Sequence, residues 1–543
     1  MLRLFRWVGA LSLLAAGLAA ASASVRPGAP QLKLSPCRLP GVKTEARCGT
    51  YEVFENRTAR RGRKIPLRVA VLPARERPAA PDPLIFFEGG PGVSAIDSAP
   101  DVEAEMGEIL RHRDIVLVDV RGTGLSGPLA CPQPERARSL EEALDTFMDP
   151  AAVRRCREVL ARDHDLSQYT TETIVDDVDE VRAALGYSKV NLSGASYGTR
   201  VALIYLRRHP ERVRTVFLAS VVPQDARIPT FLAAHTQAAF DRLTADCAAD
   251  PACRSAFPDP AADLRTVLDR LAAHPAEVKV QGEDGQEARL RLSREGAVQA
   301  VRYLLYRPTG ARGLPLMLRQ AAQGNLQPLA QSAYDIAGSM LLSAPDGLYL
   351  SVTCAEDVAF VDRAEAAQRS AGSFVGDFRL RQQIAACAEW PAAKLPASFL
   401  EPVRSSVPVL IFTGENDPTT PREWAERVAR TLPRSRVVVV PGGAHTFYGL
   451  RGTECLERLS ADFIARGEAE GLDVEACRQA IRPAAFELGA MQPRPGDPPA
   501  VICIKIDHPG ARQSFSDAEH RSHASRQLCP GTRQACFAAK HLS

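Results

Sequence analysis

A five-residue segment, Gly194 to Gly198 (G-A-S-Y-G), most constrains the fold of this 543-residue chain. A short apolar run at 190–192 precedes it, and a helix-like run at 199–208 follows it. A G-x-S-x-G segment in this context predicts a nucleophile elbow, a sharp strand-to-helix turn that exposes the hydroxyl of Ser196 in a cleft. Ser196 would adopt a strained backbone conformation there, and a side chain at 194 or 198 would clash where strand and helix nearly touch. Such a short pattern also occurs by chance, so its meaning depends on the rest of the chain.

The overall composition is typical of a soluble globular protein. Hydrophobic residues make up 45% of the chain and charged residues 24%. The net charge is only +3, and no long basic or acidic run occurs. These values predict no nucleic-acid partner.

The first 23 residues have the features of a secretory signal peptide. Arg3 and Arg6 give a basic start, residues 8–20 are apolar, and A-S-A at 21–23 is a small-residue cleavage site. Residues 1–23 are therefore predicted to be removed, which places the protein in the periplasm or medium. No cysteine follows the run, which disfavours a lipid anchor, and no later stretch of about 18 apolar residues predicts a membrane span. The alternative is a buried N-terminal helix.

The thirteen cysteines agree with an oxidising compartment. Five pairs that lie close in sequence are the candidates for disulfides: Cys37 with Cys48, Cys131 with Cys156, Cys247 with Cys253, Cys354 with Cys387, and Cys455 with Cys477. None of these pairs has CxxC-type spacing with nearby histidines, so no zinc site is predicted. No cofactor is predicted either.

The order of predicted elements indicates an α/β protein. Short β-rich runs at 67–72, 84–87, 115–118, 190–192 and 213–218 alternate with helical segments such as 171–185. Such alternation predicts a mostly parallel sheet with flanking helices. Residues 223–402 are mainly helical, with one hairpin at 277–292, and strands resume at 407–412 and 437–440. The prediction is a core of residues 24–222 and 403–488 with a helical cap at 223–402.

The last segment, 489–543, lacks periodicity and is predicted to be a poorly ordered tail. It contains four of the ten histidines and three cysteines. A metal site in the tail is an alternative, but the spacing of these residues is irregular: His508, His520, His523, Cys529 and Cys536.

An acid and a base follow the elbow in the order that its chemistry requires. A serine hydroxyl needs a base to remove its proton and a carboxylate to orient that base. In the strand-elbow arrangement the chain order is serine, acid, histidine. His445 is the one histidine after Asp417 in the segment predicted to fold, and Asp417 is favoured over Glu415 because Pro418 biases it into a loop. Ser196, Asp417 and His445 are the predicted catalytic residues.

A glycine-rich loop supplies candidate donors for the oxyanion. Two backbone amides are needed, one from the residue after the nucleophile, Tyr197. The second is predicted to be Gly90, in the glycine run after the strand at 84–87. The loop at 119–126 lacks the ending of a phosphate loop. It is interpreted as structural, with Arg121 in an internal ion pair.

These segments together resemble the α/β-hydrolase fold, and more narrowly the secreted proline iminopeptidase and tripeptidyl aminopeptidase family of serine peptidases. The resemblance rests on the loops at 89–92 and 119–126, the elbow, Asp417 and His445, and it covers residues 37–488. Relatives often have His where this chain has Glu88, and the small proline-specific members often have Trp where it has Tyr197.

The resemblance also implies that acids near the cleft bind the free α-amine of the substrate. Glu356 and Asp357 are the candidates in the cap, with Glu88 as a further contact. The alternative is that Glu356 and Asp357 cap a helix over 357–367, since acids are common at helix starts.

The predicted function is a secreted or periplasmic serine exopeptidase that removes one or a few residues from peptides with a free N-terminus. An ester or lactone substrate is an alternative, because the fold supports both chemistries. A third possibility is an inactive binding protein on the same scaffold. Epoxide-hydrolase or dehalogenase chemistry would need Asp at position 196. The oligomeric state is left open.

Overall fold

The computed structural model describes residues 31–131, 140–146, 148–282, 285–342 and 346–489, with 527–528 and 535–536. The predicted signal peptide at 1–23 lies outside the described residues. So does nearly all of the predicted tail, of which the structure describes Gly489 and two paired two-residue strands, Gln527–Leu528 and Ala535–Cys536.

A nine-stranded sheet forms the centre of the fold, and a separate two-stranded hairpin lies in the insertion. The strands up to residue 489 are, in chain order, β1 (Ser35–Cys37), β2 (Ala46–Phe54), β3 (Lys64–Leu72), β4 (Leu84–Phe87), β5 (Ile115–Val118), β6 (Val190–Ala195), β7 (Val213–Ala219), β8 (Ala276–Gln281), β9 (Glu287–Leu292), β10 (Val409–Gly414) and β11 (Ser435–Val440).

The order of strands in the central sheet is β1-β2-β3-β5-β4-β6-β7-β10-β11. The pairings from β5 to β11 are parallel, as predicted, whereas β1, β2 and β3 pair in antiparallel fashion. β1 and β2 are not predicted from the sequence. β2 is only partly buried, so it lacks the continuous apolar run that marks β4 and β5.

Helices cover both faces of the sheet and fill the insertion. They are α1 (Ala99–Glu105), α2 (Gly107–His112), α3 (Leu140–Asp145), α4 (Pro150–Leu160), α5 (Thr171–Ala184), α6 (Tyr197–Arg208), α7 (Ile228–Ala249), α8 (Pro251–Ala256), α9 (Pro260–Ala273), α10 (Arg294–Leu304), α11 (Pro308–Ala322), α12 (Gln327–Leu342), α13 (Asp346–Glu356), α14 (Arg363–Ser370), α15 (Phe378–Ala388), α16 (Arg422–Ala429), α17 (Glu454–Arg466) and α18 (Val474–Ala480).

The two faces of the sheet bury separate apolar clusters. Residues of α5 and α6, such as Val178 and Ile204, pack on one face, and residues of α2 and α17, such as Leu110 and Phe463, pack on the other. This arrangement leaves the carboxyl ends of the parallel strands β4, β6, β7, β10 and β11 at one edge. Loops that follow such strand ends are where open α/β sheets place their active sites.

Between β7 and β10 the chain forms α7 to α15 and the hairpin β8–β9, and many of these elements share an apolar cluster of their own. Phe240 of α7, Val267 of α9 and Val298 of α10 are buried in it. α3 precedes the insertion in the chain, yet its Ala143 and Leu144 pack into the same cluster. This apolar cluster therefore includes residues of the segment predicted as core, 24–222.

Cross-links and a buried ion pair reinforce the fold. All five predicted cysteine pairs form disulfides in the structure. Arg121 is fully buried, and its Nε and Nη2 donate to the Asp177 carboxylate at 2.6 and 2.9 Å, which confirms the predicted internal ion pair. Within the described ranges, no helix is long and apolar enough to cross a membrane.

Candidate active site

The G-x-S-x-G segment forms the predicted sharp turn between β6 and α6. Ser196 has φ +53° and ψ −122°, a conformation that non-glycine residues rarely adopt. A Cβ on Gly194 would lie 2.4 Å from the Gly198 carbonyl oxygen, and one on Gly198 would lie 2.1 Å from the Phe87 carbonyl oxygen. Both glycines are therefore required because β4, β6 and α6 meet here without room for a side chain.

The structure brings Ser196, His445 and Asp417 together in one line of hydrogen bonds. The Ser196 Oγ lies 3.1 Å from the His445 Nε2. The His445 Nδ1 lies 3.1 and 3.0 Å from the two oxygens of Asp417. Since a carboxylate accepts the hydrogen on Nδ1, Nε2 is left free to accept the serine proton.

Asp417 is fully buried but well supplied with donors. The backbone amides of Thr419 and Thr420 donate to it at 2.8 Å each, and the Thr420 hydroxyl donates at 2.6 Å. Burial alone would raise the pKa of Asp417, but the charge of His445 and these hydrogen bonds lower it below its ordinary value. The other candidate acid, Glu415, is exposed and accepts a hydrogen bond from a backbone amide instead.

Residues not identified in the sequence also hold His445. The Ser220 hydroxyl, at the end of β7, donates to the His445 carbonyl oxygen at 2.9 Å. The Tyr306 ring, from the cap, lies edge-on to the imidazole with centroids 5.0 Å apart, and the Tyr306 carbonyl accepts from the Thr446 amide at 3.1 Å. No local motif marks these residues, because they reach the site from separate strands and from the cap.

The glycine loop after β4 passes directly beside the nucleophile. A Cβ on Gly89 would lie 3.4 Å from the Ser196 Cβ, and Gly90, with φ +108°, lines the same cavity. The buried carboxylate of Asp119 supports this loop by accepting from the Ser94 hydroxyl at 2.7 Å. Burial raises the pKa of Asp119, and the hydrogen bond from Ser94 opposes this rise in part. The two loops that follow β4 and β5 thus form one unit beside Ser196.

A cavity of about 990 Å³ lies between the strand ends and the cap. Ser196 and His445 line it from the core, and residues of α7, α10, α13 and α15 line it from the cap. Its volume would accommodate a short peptide or another small organic substrate. In the described part of the chain, no three or more His, Cys, Asp or Glu side chains are grouped as metal ligands.

A family model described as the alpha/beta hydrolase fold matches residues 82–451. The chain belongs to this family. The predicted fold is thereby confirmed, and Ser196, His445 and Asp417 lie together at the carboxyl ends of its strands.

Named relatives of this α/β hydrolase include serine peptidases. It is 25% identical to the serine protease Hip1 of Mycobacterium tuberculosis over 450 residues, which cover 74% of this chain and 82% of Hip1. It is 25% identical to the tripeptidyl aminopeptidase of Streptomyces lividans over 418 residues, or 72% and 76% of the two chains. A solved proline iminopeptidase from Mycobacterium smegmatis aligns with 77% of this chain and 98% of its own, at 17% identity and a TM-score of 0.38. The relatives confirm the predicted resemblance and the assignment to the serine hydrolases.

Two of the three predicted amine-binding acids of this hydrolase are already paired. Glu356 is fully buried and accepts from the Thr171 amide at 2.6 Å and the Thr171 hydroxyl at 2.7 Å. Asp357 accepts from the Arg200 Nη2 at 2.9 Å, and the Arg200 Nη1 lies 3.7 Å from Glu356. Burial raises the pKa of Glu356 to about 7, although Arg200 and Thr171 oppose the shift. Asp357 lines the cavity and Glu356 is behind it, which argues against Glu356 as a direct amine ligand.

The alternative that Glu356 and Asp357 cap a helix start is wrong. α13 ends at Glu356, and the Asp357 side chain makes no capping hydrogen bond to the short 3₁₀ turn that follows. Acidic residues at 356 and 357 suggest a helix start, but in the structure they lie at the end of α13. The third candidate, Glu88, is half-buried, lines the cavity and accepts a hydrogen bond from the Gly89 amide at 2.8 Å.

A partly buried histidine of the cap contacts the loop that contains Asp417. The His235 ring lies between Phe231, stacked at 5.6 Å, and Trp424, edge-on at 5.0 Å. Its Nδ1 lies 3.3 Å from the Thr419 carbonyl oxygen, so Nδ1 is the protonated nitrogen of the neutral ring. Burial lowers the pKa of His235 to about 4.

The low pKa of His235 predicts acid-sensitive stability. Because the folded-state pKa is below the unfolded value of about 6.5, its contribution is complete above pH 6.5 and is lost as the pH falls towards 4. A shift from about 6.5 to about 4 corresponds to roughly 3 kcal/mol of unfolding free energy. Between pH 7 and 4 the unfolding free energy of the parent protein should therefore fall by about 3 kcal/mol more than that of His235→Asn. Urea titrations at the two pH values provide the measurement. His274→Asn, at an exposed site, is the control, and an equal pH dependence in both variants would contradict the assignment.

Proposed function

We propose that this hydrolase is an extracytoplasmic serine exopeptidase that removes one or a few residues from peptides with a free N-terminus. The main support is the hydrogen-bonded line from Ser196 through His445 to Asp417 on the wall of a peptide-sized cavity. The peptidase relatives favour an amide over an ester substrate. The five disulfides and the signal-like N-terminus support a location outside the cytoplasm.

The chemistry follows from the atoms at the site. The Ser196 Oγ attacks the scissile carbonyl carbon while the His445 Nε2 takes its proton. The imidazolium, stabilised by Asp417, then gives the proton to the leaving amine, and an acyl-enzyme remains. Water hydrolyses this ester through the same base. The amides of Gly90 and Tyr197 stabilise the negative charge on the carbonyl oxygen in both steps.

The cap supports an exopeptidase mode in this proposal. Residues of the cap line the cavity together with the strand ends, and we propose that they limit how far a peptide can extend past Ser196 on one side. In this proposal Asp357 and Glu88 face the substrate amine, and Glu356 acts indirectly by holding Arg200 and Thr171 in place. A carboxylate at the cavity wall would hold an ammonium group at a set distance from the nucleophile.

A comparison of free and blocked peptides tests the proposal. Free-amine Ala-Ala-Ala p-nitroanilide is expected to have a kcat/KM at least about 10-fold above that of its acetylated form, since a charge-assisted contact contributes roughly 1.5–3 kcal/mol. Glu88→Gln is expected to bring the two kcat/KM values closer together, mainly by raising the KM of the free-amine peptide. Equal hydrolysis of both forms would contradict the exopeptidase mode, and turnover of esters alone would favour an esterase. Failure of a fluorophosphonate to label Ser196 would instead indicate an inactive binding protein.

A further inference from the structure

Two arginines of the cap line the cavity that contains the proposed nucleophile. Arg302 lies in α10 and Arg379 in α15, and their exposed fractions are only 4% and 9%. Burying a guanidinium in a protein interior is costly unless a counter-charge lies beside it. Elsewhere in this protein that rule is kept, since Arg121 pairs with Asp177 and Arg200 with Asp357.

Arg302 has no such counter-charge among the residues that the structure describes. Its Nη2 donates to the Tyr306 hydroxyl at 3.0 Å, while its buried Nε and Nη1 have no hydrogen-bond partner there. The guanidinium is instead packed against two aromatic rings, 4.5 Å from the centroid of Tyr303 and 5.3 Å from that of Tyr306. Ring contacts stabilise a cation in part but leave its N–H groups available to an anion.

A second positive charge lies near Arg302. The Arg379 Nη2 donates to the Tyr349 hydroxyl at 2.7 Å, so a second cation is held in place near the first. Burial and the charge of Arg302 both lower the pKa of Arg379. Burial would raise the pKa of the Tyr303 phenol, yet the two arginines lower it overall. The charges of the two arginines thus favour the ionised form of Tyr303, whereas burial raises the pKa of Tyr306.

This positive region is close to the reacting atoms. The hydroxyl of Tyr306 accepts from Arg302, and its ring lies 5.0 Å from the His445 ring. Only one tyrosine side chain therefore separates the guanidinium from the catalytic base. An anion bound to Arg302 would therefore lie close to the scissile bond.

From this arrangement we propose that Arg302 and Arg379 form a carboxylate-binding subsite, so that the enzyme prefers peptides with a negative charge near the bond that is cleaved. Arginine suits this role because its planar guanidinium can form two parallel hydrogen bonds to a carboxylate. The carboxylate could belong to an acidic side chain or to the C-terminus of a short peptide. The inference rests on the proposed exopeptidase function.

Matched substrates separate the two sources of the carboxylate. The first pair is Ala-Ala-Glu and Ala-Ala-Gln p-nitroanilide, and the second is tetra-alanine as free acid and as amide. The charged member of at least one pair is expected to have a kcat/KM about 10- to 100-fold above that of its neutral partner. Arg302→Gln is expected to bring that ratio close to one. Arg381→Gln, an exposed arginine on the same helix as Arg379, should leave the ratio unchanged.

A binding measurement keeps this subsite testable apart from peptide hydrolysis. Calorimetry is expected to detect glutarate binding, little binding of the neutral glutaramide, and at least a 10-fold weaker glutarate affinity in Arg302→Gln. Arg379→Gln is the second variant if Arg302→Gln does not fold. Peptide cleavage without acid preference and without glutarate binding would overturn the subsite but not the function. Glutarate binding that depends on Arg302, with no peptide cleaved, would overturn the function but not the subsite.

Discussion

Ser196→Ala is expected to reduce turnover by roughly 10⁵-fold or more, because no other group at the elbow can form the acyl-enzyme. Asp417→Asn should cost about 10⁴-fold, since an amide can leave the His445 imidazole in the wrong tautomer. Both effects should appear in kcat, because they act on the transition state. Single-turnover rates and fluorophosphonate labelling at residue 196, followed by mass spectrometry, provide the measurement.

A second serine at the cavity provides the control. The Ser98 hydroxyl lines the same space and donates to the Ser94 carbonyl oxygen at 3.2 Å, and Ser98→Ala should change kcat by no more than about threefold. Labelling that persists in Ser196→Ala, or a kcat within 10-fold of the parent value, would exclude Ser196 as the nucleophile.

Arg200→Met is expected to lower the free energy of unfolding by about 3–5 kcal/mol. The substitution would leave the buried carboxylates of Glu356 and Asp357 without their shared cation, and an uncompensated buried charge is strongly destabilising. The loss should be visible as a shift of the urea midpoint. Because α6 follows the elbow and α13 belongs to the cap, activity should fall together with stability.

Two comparisons make the Arg200 prediction specific. Adding Glu356→Gln and Asp357→Asn to Arg200→Met should recover much of the lost stability, since the charges are then removed together. Arg208→Met, on the same helix but partly exposed and paired with Asp176, should cost no more than about 1 kcal/mol. If Arg200→Met were as mild as Arg208→Met, the ion pair would not link elbow and cap.

Several elements were predicted well because their signals are local. β4 and β5 were placed at their observed bounds, and α5 ends one residue before its predicted end. These segments are buried strands with continuous apolar runs or an amphipathic helix, so neighbouring residues are enough to identify them. β2 was missed because it lies near the edge of the sheet and is only half-buried.

Predictions about contacts within the site were less complete. Glu356 and Asp357 are predicted from the sequence to bind the substrate amine, but the cation that pairs with Asp357 in the structure, Arg200, is 157 residues away in the chain. Tyr306, Ser220 and Arg302 gave no signal at all. Each contributes through a contact with a residue distant in sequence, and no spacing rule records such a contact.

The sequence by itself determined the elbow. Backbone sterics require glycine at 194 and 198, and the order of Ser196, Asp417 and His445 follows from the order of the strands. Only the tertiary structure decided that Asp357 forms an ion pair and that Arg302, among the described residues, has no carboxylate beside it. It does so because the cap folds over the strand ends, which places Asp357 on Arg200 and packs Arg302 against Tyr303 and Tyr306. Local sterics act over a few residues, whereas the pairing of buried charges depends on how distant segments pack.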